Sequence, residues 1–369
     1  MRLVFTLCLL LSFATPVFAP QAAELKYDRA ALQTHWRTRI QGILDQGRLP
    51  KIDMETSLQP DHIAKYIPAI FETMDKLGIA LLAADGYQRP KDGASGYRWS
   101  TYILDLVNAY PARFAPTANG GTNPNWLKEK GGKDDDFIDQ MERHVRAGVY
   151  AHMGEFDFRH YMSSGQCKKG RTDRDSVIDL TGKNGHRVFR LSAETGVPFV
   201  IHMEPEDAPL DQLQQMLKAY PKAKVIVAHF GQVRHPELQK RFTPDNVRKL
   251  LAEHQNLYFD LSTGQPNRKY KCAGVDNKGT LIGDTVLWKK SANGRQSDTL
   301  KSAWRDILSD FSDRFVFATD YGGGRPPLDE HLKQKMENFN RIVRDLSGAA
   351  KHDIAYKNAW KLLTNTDWK

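Results

Sequence analysis

Cysteine is scarce in this chain, with three in 369 residues. Beyond the first two dozen residues there is no apolar stretch long enough to cross a bilayer as a helix, so no helical membrane span is expected there. No run of basic residues interleaved with aromatics falls on one predicted face, so a nucleic-acid partner is not expected despite a formal charge of +9. Internal repeats and low-complexity linkers are also missing, which favours one large domain over residues 24–369. What remains is an ordinary globular composition, 40% hydrophobic and 26% charged.

The N-terminus reads differently from the rest. Met1-Arg2 is followed by an apolar segment over residues 3–13, then small residues and proline up to Ala23. A basic start, a short apolar core and small residues near a cleavage position describe a secretory signal peptide. The expectation is a signal over residues 1–23, cut between Ala19 and Glu24, and a mature protein that is periplasmic or secreted. Removing Cys8 with the signal leaves Cys167 and Cys272 as an even pair in an oxidising compartment, where a disulfide is expected.

Short β-branched apolar runs alternate with helix-period segments along the chain. Strands are predicted near residues 49–55, 79–84, 113–117, 149–156, 197–202, 224–229, 256–261 and 314–320. Between and after them, helical patterns are predicted at 30–46, 61–77, 100–110, 134–147, 186–195, 209–219, 244–254, 300–311, 331–346 and 351–363. Eight strands in alternation with helices predict an α/β fold, a (β/α)8 TIM barrel. Two connections are long, after strand four (159–185) and after strand seven (263–297). Long loops in a compact domain are usually functional lids. One carries Cys167 and the other Cys272, so the expected disulfide would tie them together. Both are basic, with Lys168, Lys169, Arg171 and Arg174 in the first and Arg268, Lys269, Lys271, Lys289, Lys290 and Arg295 in the second. A solvated polar surface accounts for such charge equally well.

Polar residues stop several of the strand runs. Val197-Pro198-Phe199-Val200-Ile201 ends on His202, Lys224-Val225-Ile226-Val227-Ala228 ends on His229, and the 314–319 run ends on Asp320. Glu55 and Glu155 close the first and fourth runs. In parallel barrels the carboxyl ends of the strands build the active site. Imidazoles and carboxylates converging there suit a divalent transition metal. Such an ion would acidify a water and polarise a carbonyl, with a spare carboxylate such as Asp320 moving the proton. His152 and His160 read as structural, and Glu204 as lining the pocket.

The segments "GVPFVIH", "KVIVAHFG" and "FATDYG", in this order over roughly residues 50–365, resemble the amidohydrolase superfamily, in particular the amidohydrolase-related branch of hydrolases and metal-dependent aryl decarboxylases. The resemblance implies a TIM barrel with His202 as the strand-five metal ligand. It implies His229 as a strand-six residue that ligates in binuclear members and acts in catalysis in several mononuclear ones. It places Asp320 at the strand-eight position, and Glu155, in "HMGEFDF", at the strand-four position where some members use a bridging glutamate. One departure stands out. The first strand of the family usually ends in His-x-His, and here the matching residues are Glu55-Thr56-Ser57. Glu55 can replace the first histidine, as in the decarboxylase-like branch, but the Ser57 hydroxyl is a weak ligand.

The expected function is that of an exported metal-dependent hydrolase. Its metal, expected to be zinc, would be drawn from Glu55, Glu155, His202, His229 and Asp320, with Asp320 and His229 as catalytic residues. The basic loops suggest a small anionic substrate. Decarboxylation of a carboxylic acid is the enzymatic alternative, and a barrel that has given up catalysis and serves as a binding or accessory protein is the other. The sequence leaves self-association open.

Overall fold

The computed structural model describes residues 24–58, 60–86, 99–120, 137–163, 166–167, 169–170, 175–268, 270–271, 281–322 and 328–369. The expected export signal and Cys272, the partner expected for Cys167, lie outside the described residues.

The fold is α/β, built on parallel strands. We label the principal strands β1 (Lys51–Leu58), β2 (Ile79–Gly86), β3 (Thr117–Asn119), β4 (His152–His160), β5 (Phe199–Met203), β6 (Val225–Val227), β7 (Leu257–Asp260) and β8 (Phe315–Val316). All eight residues of β2 are buried. A strand covered on both faces reads as a continuous apolar run rather than an alternating one, and Ile79-Ala80-Leu81-Leu82-Ala83-Ala84 is such a run. Helices return the chain between strands. The helix Lys183–Thr195 stops at Gly196, whose φ of 70° is the left-handed conformation that glycine adopts without steric cost.

Neighbouring strands pair in parallel along the chain order. β1 pairs with β2, β3 with β4, β4 with β5, β5 with β6, β6 with β7 and β7 with β8. β2 meets the segment before β3 through a parallel bridge between Leu82 and Phe114. At the far end, the Met54 amide donates to the Phe317 carbonyl at 3.1 Å and the Asp320 amide to the Glu55 carbonyl at 3.1 Å. A buried carboxylate reinforces this last seam. Asp53 accepts from the Thr319 amide at 3.0 Å and the Thr319 hydroxyl at 2.6 Å, while also holding the Glu55 amide and the Thr56 hydroxyl. The carboxyl ends of the first and last strands therefore lie side by side.

The third and fourth strands fall later than predicted, at 117–119 and 152–160. Phe114, inside the predicted third strand, makes only the isolated bridge. The stretch after strand seven is not a plain loop. Leu281–Thr285 pairs antiparallel with Gln232–Val233, and Trp288–Lys290 pairs with Gln296–Leu300. Asn293-Gly294, with Gly294 at φ 77°, turns the second hairpin, and an Asn-Gly dipeptide between strand-like flanks is the local signal for it. Among the described residues, no helix is long and apolar enough to cross a membrane.

Candidate metal centre

The parallel registers bring four of the five predicted strand-end residues together. Glu55, Glu155, His202 and His229 come from β1, β4, β5 and the end of β6, and all but Glu155 are almost fully buried. His202 Nδ1 lies 2.8 Å from Glu155 Oε1, and its Nε2 lies 3.3 Å from Glu204 Oε1. Burial works against a charged imidazole, but Glu155 and Glu204 outweigh it and push His202 up to about 10. The same pairing holds Glu155 well below the usual carboxylate range, although burial alone would raise it. Glu204 is itself buried and is held down chiefly by Arg234, whose Nε donates to it at 3.0 Å.

His229 sits where the two sides of the site meet. Its Nε2 lies 3.2 Å from His202 Nδ1, 3.6 Å from Glu155 Oε1 and 3.7 Å from Glu55 Oε1. Its Nδ1 lies 2.7 Å from the Ser262 hydroxyl and 3.3 Å from the Ser262 carbonyl. A carbonyl can only accept, so Nδ1 carries a proton, and Nε2 is the ring nitrogen that faces the carboxylates. His229 has a φ of 60°, a conformation unfavourable for a side chain with a Cβ. Its amide donates to Asp260 Oδ1 at 2.9 Å, which holds the backbone there. Residues kept in such conformations gather at functional sites.

Sequence reasoning missed Asp260 and Ser262. Asp260 ends β7, is fully buried, and accepts from the His229 amide and from the Ser262 amide and hydroxyl. The Ser262 hydroxyl also lies 2.7 Å from Glu55 Oε2. A signal was present, because Asp260 is a carboxylate closing a strand run just as Glu55 and Glu155 do. Glu204, read as lining the pocket, and His160, read as structural, both contact His202. The His160 ring packs edge-on against His202 with centroids 4.4 Å apart.

Asp320 is placed apart from the others. Its side chain is half exposed and faces Lys335 Nζ at 3.5 Å. It still raises Glu55 through its charge, after burial, Asp260 and Glu155, and Glu55 lies well above the ordinary carboxylate value.

Among the described residues, three groups of side chains have ligand atoms close enough to share an ion: Glu155–His202–His229, Asp157–His160–His202 and Glu55–His229–Asp260. Within them, Glu55 Oε1 and Asp260 Oδ2 are buried without a hydrogen-bond partner. Buried carboxylate oxygens without partners are costly, and a cation satisfies them. The residues therefore fit a divalent ion, and the imidazole and carboxylate donors suit zinc, manganese or iron.

A family model described as amidohydrolase matches residues 124–364. Among curated proteins, none matches the chain. Several solved structures are similar in fold at low identity. A putative amidohydrolase from Staphylococcus aureus is 14% identical with a TM-score of 0.47, over 85% of this chain and 99% of that one. A dihydroxybenzoic acid decarboxylase from Polaromonas sp. JS666, with bound manganese and the inhibitor 2-nitroresorcinol, is 14% identical with a TM-score of 0.45, over 85% and 96%. A 4-oxalomesaconate hydratase from Rhodopseudomonas palustris is 16% identical with a TM-score of 0.44, over 93% and 95%. With the family model spanning more than half of its length, the chain belongs to the amidohydrolase family.

Proposed function

We propose that this protein is an exported metal-dependent hydrolase acting on a carbonyl-type bond of a small anionic molecule. The observation that carries the reading is the convergence of Glu55, Glu155, His202 and His229 from four separate strands, with Glu55 Oε1 buried and without a hydrogen-bond partner. A divalent ion bound there would polarise a carbonyl and acidify a water.

The protein's own groups prepare for this. Ser262 keeps His229 in the tautomer whose Nε2 faces the carboxylates. Glu155 and Glu204 grip His202 from both sides, and Arg234 balances Glu204. Asp320, at the rim and in contact with solvent, is placed to carry a proton between the site and water, with Lys335 beside it. The exposed cations Arg268, Lys289, Lys290 and Arg295 favour an anionic substrate. The strand pairings and the β1–β8 hydrogen bonds support a closed eight-stranded barrel. Residues 1–23 support export, and with it the Cys167–Cys272 disulfide.

Decarboxylation is the second reading, favoured by a glutamate rather than a histidine at Glu55. Metal content of the purified protein, with and without His229→Ala, tests the metal-dependent reading. Retention of full metal content by that variant would count against it. A screen of small carboxylic acids and esters in ¹⁸O-water separates the reactions, because hydrolysis places label in the product and decarboxylation releases carbon dioxide. N-terminal sequencing of exported protein tests the signal, and the mass gained on reduction and alkylation tests the disulfide.

A further inference from the structure

We infer that Arg234 is a positioning residue for the metal centre: through Glu204 it fixes the His202 ring so that Nδ1, rather than Nε2, faces the ion. The inference rests on the metal-site reading above and concerns what orients one ligand.

Each ring nitrogen of His202 has a carboxylate beside it, and the two carboxylates are differently placed. Nδ1 lies 2.8 Å from Glu155 Oε1 and 3.2 Å from His229 Nε2, which itself lies 3.7 Å from Glu55 Oε1. Nδ1 is therefore the nitrogen on the side where residues from four strands converge. Nε2, across the ring, meets Glu204 Oε1 at 3.3 Å. That oxygen also accepts from Arg234 Nε at 3.0 Å, while Glu204 Oε2 has no hydrogen-bond partner. A carboxylate oxygen that accepts from a guanidinium has no hydrogen to give, so the hydrogen in the His202 contact sits on Nε2. A ring whose Nε2–H is committed in this way has only the Nδ1 lone pair to offer a cation.

The pair that does this is itself held from separate elements. Glu204 follows β5 directly, and its amide donates to the Arg159 carbonyl of β4 at 2.9 Å. Arg234 follows Gln232–Val233, which pairs antiparallel with Leu281–Thr285, and the Val286 amide donates to the Gly231 carbonyl at 2.9 Å. The fit there is close, since a Cβ on Gly231 would fall 2.5 Å from the Leu287 side chain. Arg234 Nη1 donates to the Tyr161 carbonyl, just past β4, at 2.9 Å. The planar guanidinium is thus fixed at two of its nitrogens and keeps its Nε–H aimed at Glu204. An exposed ion pair would orient little, but Arg234, Glu204 and His202 are all almost fully buried. The segment after β6 and the hairpin region after β7 therefore act on a β5 side chain that neither touches through His229.

The test uses the metal-free full-length chain, titrated with Mn²⁺ and followed by the electron paramagnetic resonance of free ion. The double variant Glu204→Leu with Arg234→Leu removes both charges of the pair together, a replacement that buried ion pairs often tolerate, and takes away the acceptor for His202. It is expected to weaken Mn²⁺ binding by about tenfold to a hundredfold, the range seen for groups that orient ligands. Glu204→Gln keeps an oxygen that accepts from both Nε2–H and Arg234, and its affinity should lie closer to the native value than to that of the double variant. Thermal unfolding of the metal-free double variant checks that it folds. If it folds and binds Mn²⁺ as the native chain does, the pair is structural only and the inference is overturned. The ring itself is read from the ¹⁵N resonances of labelled histidine in the Zn²⁺-loaded native chain, with His202 identified by its loss in His202→Gln. Hydrogen on Nε2 and the ion on Nδ1 are expected; hydrogen on Nδ1 overturns the inference, whether or not the double variant folds. A native chain that takes up neither Mn²⁺ nor Zn²⁺ overturns the metal reading beneath it instead.

Discussion

The two sides of the site share His229 and differ in how their charges are satisfied. On one side, His202 lies between Glu155 and Glu204, and Arg234 closes the row, so each charge has an opposite at hydrogen-bond distance. On the other side, Glu55 and Asp260 each keep a buried oxygen with no hydrogen-bond partner. A completed row of alternating charges gives rigidity, while an incomplete one gives affinity for a cation. The first side reads as the frame and the second as the socket.

The sharpest way to break the comparison is to remove the shared residue. His229→Ala should lower divalent-metal affinity by about a hundredfold or more, since it removes a ligand and not merely its support; isothermal titration of metal-free protein would measure it. Next comes the frame itself. Arg234→Ala leaves buried Glu204 with His202 as its remaining partner, and breaking a buried pair by removing one partner costs about 3–5 kcal/mol. Chemical denaturation of the metal-free chain should show that loss, and a change under about 1 kcal/mol would mean that the row is not structural. The socket should respond to metal in the opposite sense. Saturating metal at a hundredfold excess over Kd should stabilise the native chain by about 2.7 kcal/mol, and Glu55→Gln should lose most of that gain while keeping its metal-free stability.

Much of this site could be read along the sequence. Apolar runs ended by an acid or a histidine pointed to Glu55, Glu155, His202 and His229, although β1 and β4 continue past the two glutamates to Leu58 and His160, and Glu55, His202 and His229 are buried. Asp260 ends such a run too, but its strand is short and Tyr258 within it is only half-buried, so the run is weaker. Ser262 acts through Glu55, 207 residues away, a contact that no local pattern carries. Asp320 was locatable but its direction was not. It has a φ of 49°, and the buried Asp53 fixes Thr319 beside it from the first strand. In the fold, parallel strands follow from alternation of apolar runs and helices, while of the antiparallel pairings described after β7 only the Trp288–Leu300 hairpin has a local signal, Asn293-Gly294.

Two smaller effects sharpen the account. A Cβ on Gly120 would fall 1.8 Å from the Glu155 carbonyl oxygen. Gly120→Ala should therefore displace Glu155 and disturb the frame, lowering stability by roughly 1–3 kcal/mol as overpacking does, with a smaller loss of metal affinity than His229→Ala. The smallest effect lies at the far end of β1, outside both sides. Burial, with Arg48 adding to it, pulls Lys51 down to about 8. The folded chain then gives up that proton earlier than the unfolded chain, so stability should rise with pH from about 8 to 10.5. Denaturation midpoints at the two ends of that window should show the rise in the native chain and not in Lys51→Met.

The central claim is that polar side chains from separate strands meet to hold a divalent ion. Its most direct test is calorimetric titration of the metal-free full-length chain with Zn²⁺ and with Mn²⁺. The account predicts saturable binding of at least about one ion per chain with release of protons, abolished in His229→Ala. Absence of saturable binding of either ion, or binding unchanged in His229→Ala, would contradict it.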